Sequence, residues 1–86
     1  MLDDLIVSNP KMHGGRPVLA GTGTTVRAIA IMYKQSLTPE EITGQLPLTL
    51  AQVFAALTYY HLHTDEMEAD IRADSEEVLI EQLRRA

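Results

Sequence analysis

Between Ser36 and Tyr60 the chain reads SLTPEEITGQLPLTLAQVFAALTYY, and this stretch carries two complete helix-start signals. Thr38-Pro39-Glu40-Glu41 supplies a capping threonine, a proline at the first helical position and a glutamate at the third. Thr49-Leu50-Ala51-Gln52 repeats the device with glutamine as the third residue. Only the turn around Leu46-Pro47-Leu48 separates the two patterns. The punctuation predicts a short helix, a tight turn and a longer helix, the outline of a helix-turn-helix, which many small proteins use to read DNA.

The rest of the chain fills in around that unit. Leu5-Ile6-Val7 and Pro17-Val18-Leu19-Ala20 are short apolar runs bounded by turn-forming residues, and both read as strands of a two-stranded ribbon. Gly21-Thr22-Gly23-Thr24-Thr25 reads as a flexible linker whose last threonine caps the next helix. A first helix is expected from about Val26 to Gln35, with Val26, Ile29, Ala30 and Tyr33 on one face. The second, about Pro39 to Gln45, turns Ile42 and Leu46 inward. The third, about Leu50 to His63, places Leu50, Val53, Phe54, Leu57 and Tyr60 on its inner stripe. Its opposite face carries Ala51, Gln52, Ala55, Thr58, Tyr59 and Leu62, without a charge, so this helix is expected to be covered on both sides.

After Thr64 the pattern changes. Thr64 or Asp65 is a candidate cap for a helix carrying Met67 and Ile71, and Ser75-Glu76-Glu77 is a candidate fresh start for Val78, Leu79 and Leu83, unless Ser75 sits inside one long helix. Arg84 and Arg85 suit the negative end of that segment's dipole. The expected layout is one structural domain, residues 1–63 as ribbon plus helix-turn-helix and residues 64–86 as an acidic helical extension. A chain this short buries a modest core, so dimerisation is a natural supplement.

Charge is unevenly spread. Residues 1–47 hold four acids and four bases, whereas residues 48–86 hold eight acids and three bases and account for the whole net charge of −5. Such a chain fits one end near phosphate and the other near a basic partner, or simply a solvated acidic helix. There is no cysteine, which excludes disulfides and thiol chemistry. The acidic start and the lack of a long apolar run argue for a cytoplasmic protein with no membrane span.

Chemistry-bearing patterns are few. His61 and His63 are two residues apart, which on a helix points their rings about 200° from one another, whereas a helical zinc pair needs a spacing of three or four. Ser8, Ser36 and Ser75 sit at turns or caps. The acids from Asp65 to Glu81 spread around a helix rather than converging, so neither a catalytic site, a metal site nor a cofactor is expected. Gly14-Gly15-Arg16-Pro17 could form an anion-binding turn, but lacks the lysine and following helix of a phosphate loop, and its glycines read first as positions needing positive φ. For DNA, Gln52 is the residue of helix three suited to base edges, with Thr38 and Thr49 for phosphate and Lys11, Arg16, Arg27 and Lys34 as the available cations.

Two runs together carry a resemblance. Ile6-x-x-Asn9-Pro10 … Gly14-Gly15-Arg16-Pro17-Val18-Leu19-Ala20-Gly21-Thr22 and Leu37-Thr38-Pro39-Glu40-Glu41-Ile42 … Leu46-Pro47-Leu48-Thr49 … Val53-x-x-Ala56-Leu57-x-Tyr59-Tyr60 resemble the small prokaryotic domain of unknown function 433 over about residues 5–72. The resemblance implies a mainly α, homeodomain-like three-helix core with a short N-terminal ribbon and a C-terminal extension. It implies an antitoxin of a type II toxin–antitoxin pair, dimeric, able to bind operator DNA and to silence a PIN-like nuclease toxin through its C-terminal part. One departure matters: where the family usually has an arginine and then a proline after the Gly-Thr pair, this chain has Gly23, Thr24 and Thr25.

The leading expectation is therefore a non-enzymatic, homodimeric antitoxin whose acidic tail lies against a basic toxin surface. Ala55, Tyr59, Leu62, Met67, Ile71, Val78, Leu79 and Leu83 are the expected dimer or partner contacts. The rivals are an autoregulator that binds its own promoter and an oligomerisation module that touches no nucleic acid.

Overall fold

The computed structural model describes residues 2–11 and 13–73. The proposed fresh helix start at Ser75, the contacts Val78, Leu79 and Leu83, and the terminal Arg84 and Arg85 lie outside the described residues. The fold is mainly helical, with a small antiparallel ribbon at the N-terminal end. A single helical turn, α1 (Leu2–Leu5), leads into β1 (Ile6–Val7). After a 3-10 turn at His13–Gly15 comes β2 (Val18–Leu19), paired with β1 in the register Ile6 opposite Leu19 and Val7 opposite Val18. The helices α2 (Val26–Lys34), α3 (Pro39–Gln45) and α4 (Leu50–Leu62) follow, and residues 64–73 form a further helix, α5.

Each core helix starts where its threonine says it should. Thr25 Oγ1 accepts from Ala28 N–H at 3.0 Å. Thr38 and Thr49 form full capping boxes, Thr38 with Glu41 and Thr49 with Gln52. Each such cap contributes about 1 kcal/mol. At the other end of α2, Ser36 adopts φ 74° while Leu37 N–H reaches back to Met32 O at 3.2 Å, a left-handed stop for which glycine is the usual residue. Across the α3–α4 junction, Leu48 N–H donates to Leu46 O at 2.8 Å around Pro47, and Leu48 is turned into the core.

Leu19 from the ribbon, Val26, Ile29 and Ala30 from α2, Ile42 from α3, and Val53, Ala56, Leu57 and Tyr60 from α4 form one buried cluster. Each fully buried valine, leucine or isoleucine contributes about 1.5–3 kcal/mol. Met67 of α5 joins this cluster, and Ile71 packs on its edge.

Four expectations need correction. The segment from Gly21 to Thr25 is not loose: Leu19 N–H bonds Thr24 O, Thr22 Oγ1 bonds Leu19 O, and Thr25 bridges to Val18. Leu5 closes α1 instead of opening the strand. The face of α4 turned inward is rotated toward Ala55 and Ala56, so that Leu50 and Phe54 are 42% and 50% exposed. The arc that meets α2 and α3 is made of Val53, Ala56, Leu57 and Tyr60, which pack with Ile29, Ala30 and Ile42 in the core cluster. Finally, Thr64 does not cap α5. Its hydroxyl donates back to the carbonyls of Tyr60 and His61, filling the acceptors left at the end of α4.

Candidate interaction faces

Two surfaces of the described molecule carry its chemistry, and they differ in kind. The first is the seam between α5 and the core. On a helix, Met67 and Ile71 lie one turn apart, and Glu68 and Asp70 flank them on either side. The two apolar residues dock on the core, which places the two carboxylates against cations from the ribbon and α2. Arg16 holds Asp70 with a two-toothed grip, Nε to Oδ2 at 2.8 Å and Nη2 to Oδ1 at 3.0 Å. Arg27 Nη1 stands 3.8 Å from the same carboxylate. Lys34 Nζ bonds Glu68 Oε2 at 2.6 Å, while the Tyr60 hydroxyl donates to Glu68 Oε1.

The electrostatics follow from these partners. The Arg16 guanidinium holds the Asp70 carboxyl below the usual carboxylate range, aided by the charge of Arg27 and opposed by partial burial. Lys34 and then the Tyr60 hydroxyl do the same for Glu68. The bond to Glu68, with burial, pushes the Tyr60 phenol up. The glycine turn has a part in this: Gly14 and Gly15 have φ 65° and 79°, as expected of a turn needing positive φ. A Cβ on Gly14 would lie 3.1 Å from Arg16 Nη1, so the missing side chain leaves room for the guanidinium.

The second surface is the open side of α4. Leu50, Ala51, Phe54, Thr58, His61 and Leu62 are exposed along its length, Leu62 to 70%. α4 contains no aspartate, glutamate, lysine or arginine. Tyr33 of α2 extends the patch, its ring edge-on to His61 at 6.0 Å between centroids. Tyr33 was expected on the inner face of α2 but stands exposed, because the stripe turns outward beyond Ala30. His63 points elsewhere and stacks on Tyr59 at 4.3 Å, so the two histidines do not converge.

The residues expected to meet DNA are thus scattered in role. Arg16, Arg27 and Lys34 come together at the α5 seam. Lys11 is exposed in the loop before the glycine turn, where its backbone N–H bonds Asn9 Oδ1. Thr38, Thr49 and Gln52 spend their side-chain oxygens on backbone N–H groups of their own caps. Of the residues expected at a partner interface, Leu62 is open, Tyr59 and Ile71 are partly covered, and Ala55 and Met67 are buried within the chain. Ala55 is covered because the packed arc of α4 includes it, and Met67 because α5 folds back. Sequence reasoning missed Leu50, Phe54 and Tyr33 as surface residues. It also missed that the acids of α5 would meet the chain's own cations, although the charge asymmetry was the available signal.

The sequence profile described as protein of unknown function (DUF433) matches residues 6–60. The chain belongs to this family. The DUF433 profile ends at Tyr60, so it spans the ribbon, α2, α3 and most of α4 but not α5. A crystal structure of a DUF433 member from Anabaena variabilis superposes with a TM-score of 0.75 at 25% identity, covering 84% of this chain and 72% of that one. No protein of curated function matches the chain. Among the described residues, no helix is long and apolar enough to cross a membrane.

Proposed function

We propose that this DUF433 protein works by binding another protein through the open side of α4, as the antitoxin of a type II pair whose toxin is a PIN-like nuclease. It acts in the cytoplasm, by binding and not by catalysis. The observation that carries the reading is the character of α4: Leu50, Phe54 and Leu62 are exposed on a helix that contains no aspartate, glutamate, lysine or arginine. A helix that reads base edges needs arginine, lysine, asparagine or glutamine there. An apolar, aromatic strip is the material of a protein interface core. Asp65 and Glu66, exposed just beyond Leu62, give that interface an acidic rim suited to a basic RNA-binding surface.

The test is co-expression with the product of the neighbouring reading frame. The two chains should co-purify, the nuclease should be silent in the complex, and Phe54→Asp should release it. Sizing the protein alone reads whether the same strip also joins two copies. A chain that co-purifies with no neighbour product and inhibits no nuclease would sink this reading.

A further inference from the structure

Three of the four cations in residues 1–47 end on two carboxylates of one helix. We propose that Arg16, Arg27 and Lys34 form a phosphate-backbone site for duplex DNA, and that Glu68 and Asp70 occupy it in place of phosphates, so that α5 is a built-in competitor for DNA.

Three observations support the site. Arg27 and Lys34 are seven residues apart on α2, which puts them on one stripe with about 10.5 Å between them along the axis. Arg16 joins them from the glycine turn, near enough to Arg27 that both reach Asp70. The grip of Arg16 on Asp70 is the fork geometry that guanidinium offers to carboxylate and phosphate alike. A row of fixed cations from two elements matches a polyanion with regularly spaced charges better than a single small anion.

The competitor is removable. Asp70 and Glu68 retain 30% and 29% of their side-chain exposure, and ion pairs in contact with solvent are weak and screened by salt. Among the described residues of α5, Met67 and Ile71 supply the apolar hold. The site borders the open side of α4, since Tyr60 bonds Glu68 while its ring lies 5.2 Å from His61. The inference nevertheless goes beyond the protein-binding role, because it needs no protein partner and is read on duplex DNA alone.

The experiment compares full-length wild type with Glu68→Gln/Asp70→Asn, titrated into a fluorescent mixed-sequence DNA duplex at low salt. The double variant should bind at least ten-fold more tightly than wild type. Its log–log salt slope should be about −2.7, from three neutralised phosphates. Adding Arg16→Gln, Arg27→Gln and Lys34→Gln should cancel the gain. Glu40→Gln/Glu41→Gln raises the net charge equally and preserves the Thr38 box with glutamine, and it should give no gain. An equal gain in that control, a gain that survives loss of the three cations, or no gain at all would overturn the proposal. So would a variant that binds single-stranded RNA or an acidic peptide but not the duplex. Should the double variant fail to fold, wild type at saturating DNA serves. Backbone amides of residues 64–73 must then lose exchange protection, and their unchanged protection would refute the idea.

Discussion

The α5 seam and the open side of α4 lie on the same small molecule and obey opposite rules. At the seam, charges are matched across elements and an apolar pair holds them in register. On α4 there is no carboxylate, lysine or arginine to match, and large apolar side chains face solvent. The seam is a contact made within the chain, while the α4 strip leaves large apolar side chains open to solvent. A helix-turn-helix that reads DNA would show the reverse, with cations on its second helix and apolar residues beneath. The charge that such a protein needs is present here, but under its own tail.

Four perturbations test that contrast. The largest effect should come from Met67→Ala, which empties a buried position at the seam and should cost about 2–4 kcal/mol. Hydrogen exchange should show residues 64–73 losing protection before the core does; simultaneous loss would mean the seam is not a separate unit. Asp70→Asn removes the charge-assisted grip of Arg16 and should cost about 1–2 kcal/mol after allowance for its partial exposure, read from a urea titration.

Acid should act on the same seam. Glu68 and Asp70 titrate below their ordinary range in the folded chain, so their contribution is complete above that range and fades as pH falls through the depressed values. Residues 64–73 should therefore stay docked at pH 6 and loosen below about pH 4, where ordinary carboxylates protonate. Exchange rates that ignore pH across that window would contradict the pairing. The smallest effect belongs to α4: Phe54→Ser, half exposed, should change the melting stability of the isolated chain by under about 0.5 kcal/mol. A large loss there would mean that the strip is already in use.

Much of this architecture is written locally. Thr25, Thr38 and Thr49 cap their helices by bonds to backbone three residues away, and α3 runs over the residues its box and proline predict. The ribbon was legible from two apolar runs separated by turn formers. What local pattern could not give was orientation. The apolar residues of α4 run nearly all the way round, so its sequence left the limits of the inner arc open: Val53, Leu57 and Tyr60 of the expected stripe are in the core with Ala56, while Leu50 and Phe54 fall outside it. The seam was illegible for the same reason at longer range. Arg16 and Asp70 are 54 residues apart, and nothing in either neighbourhood names the other.

That separation has a consequence in time. The three helix-start signals are local and closely spaced, so α2, α3 and α4 can nucleate early and meet through short loops, the condition for rapid folding. Closing a loop of 54 residues comes at greater entropic expense and gains only partly exposed bonds. During synthesis the ribbon and α2 leave the ribosome first and α5 much later. A nascent chain therefore passes through an interval in which its helices are built and its cations are still uncovered, and the order of synthesis sets how long that interval lasts.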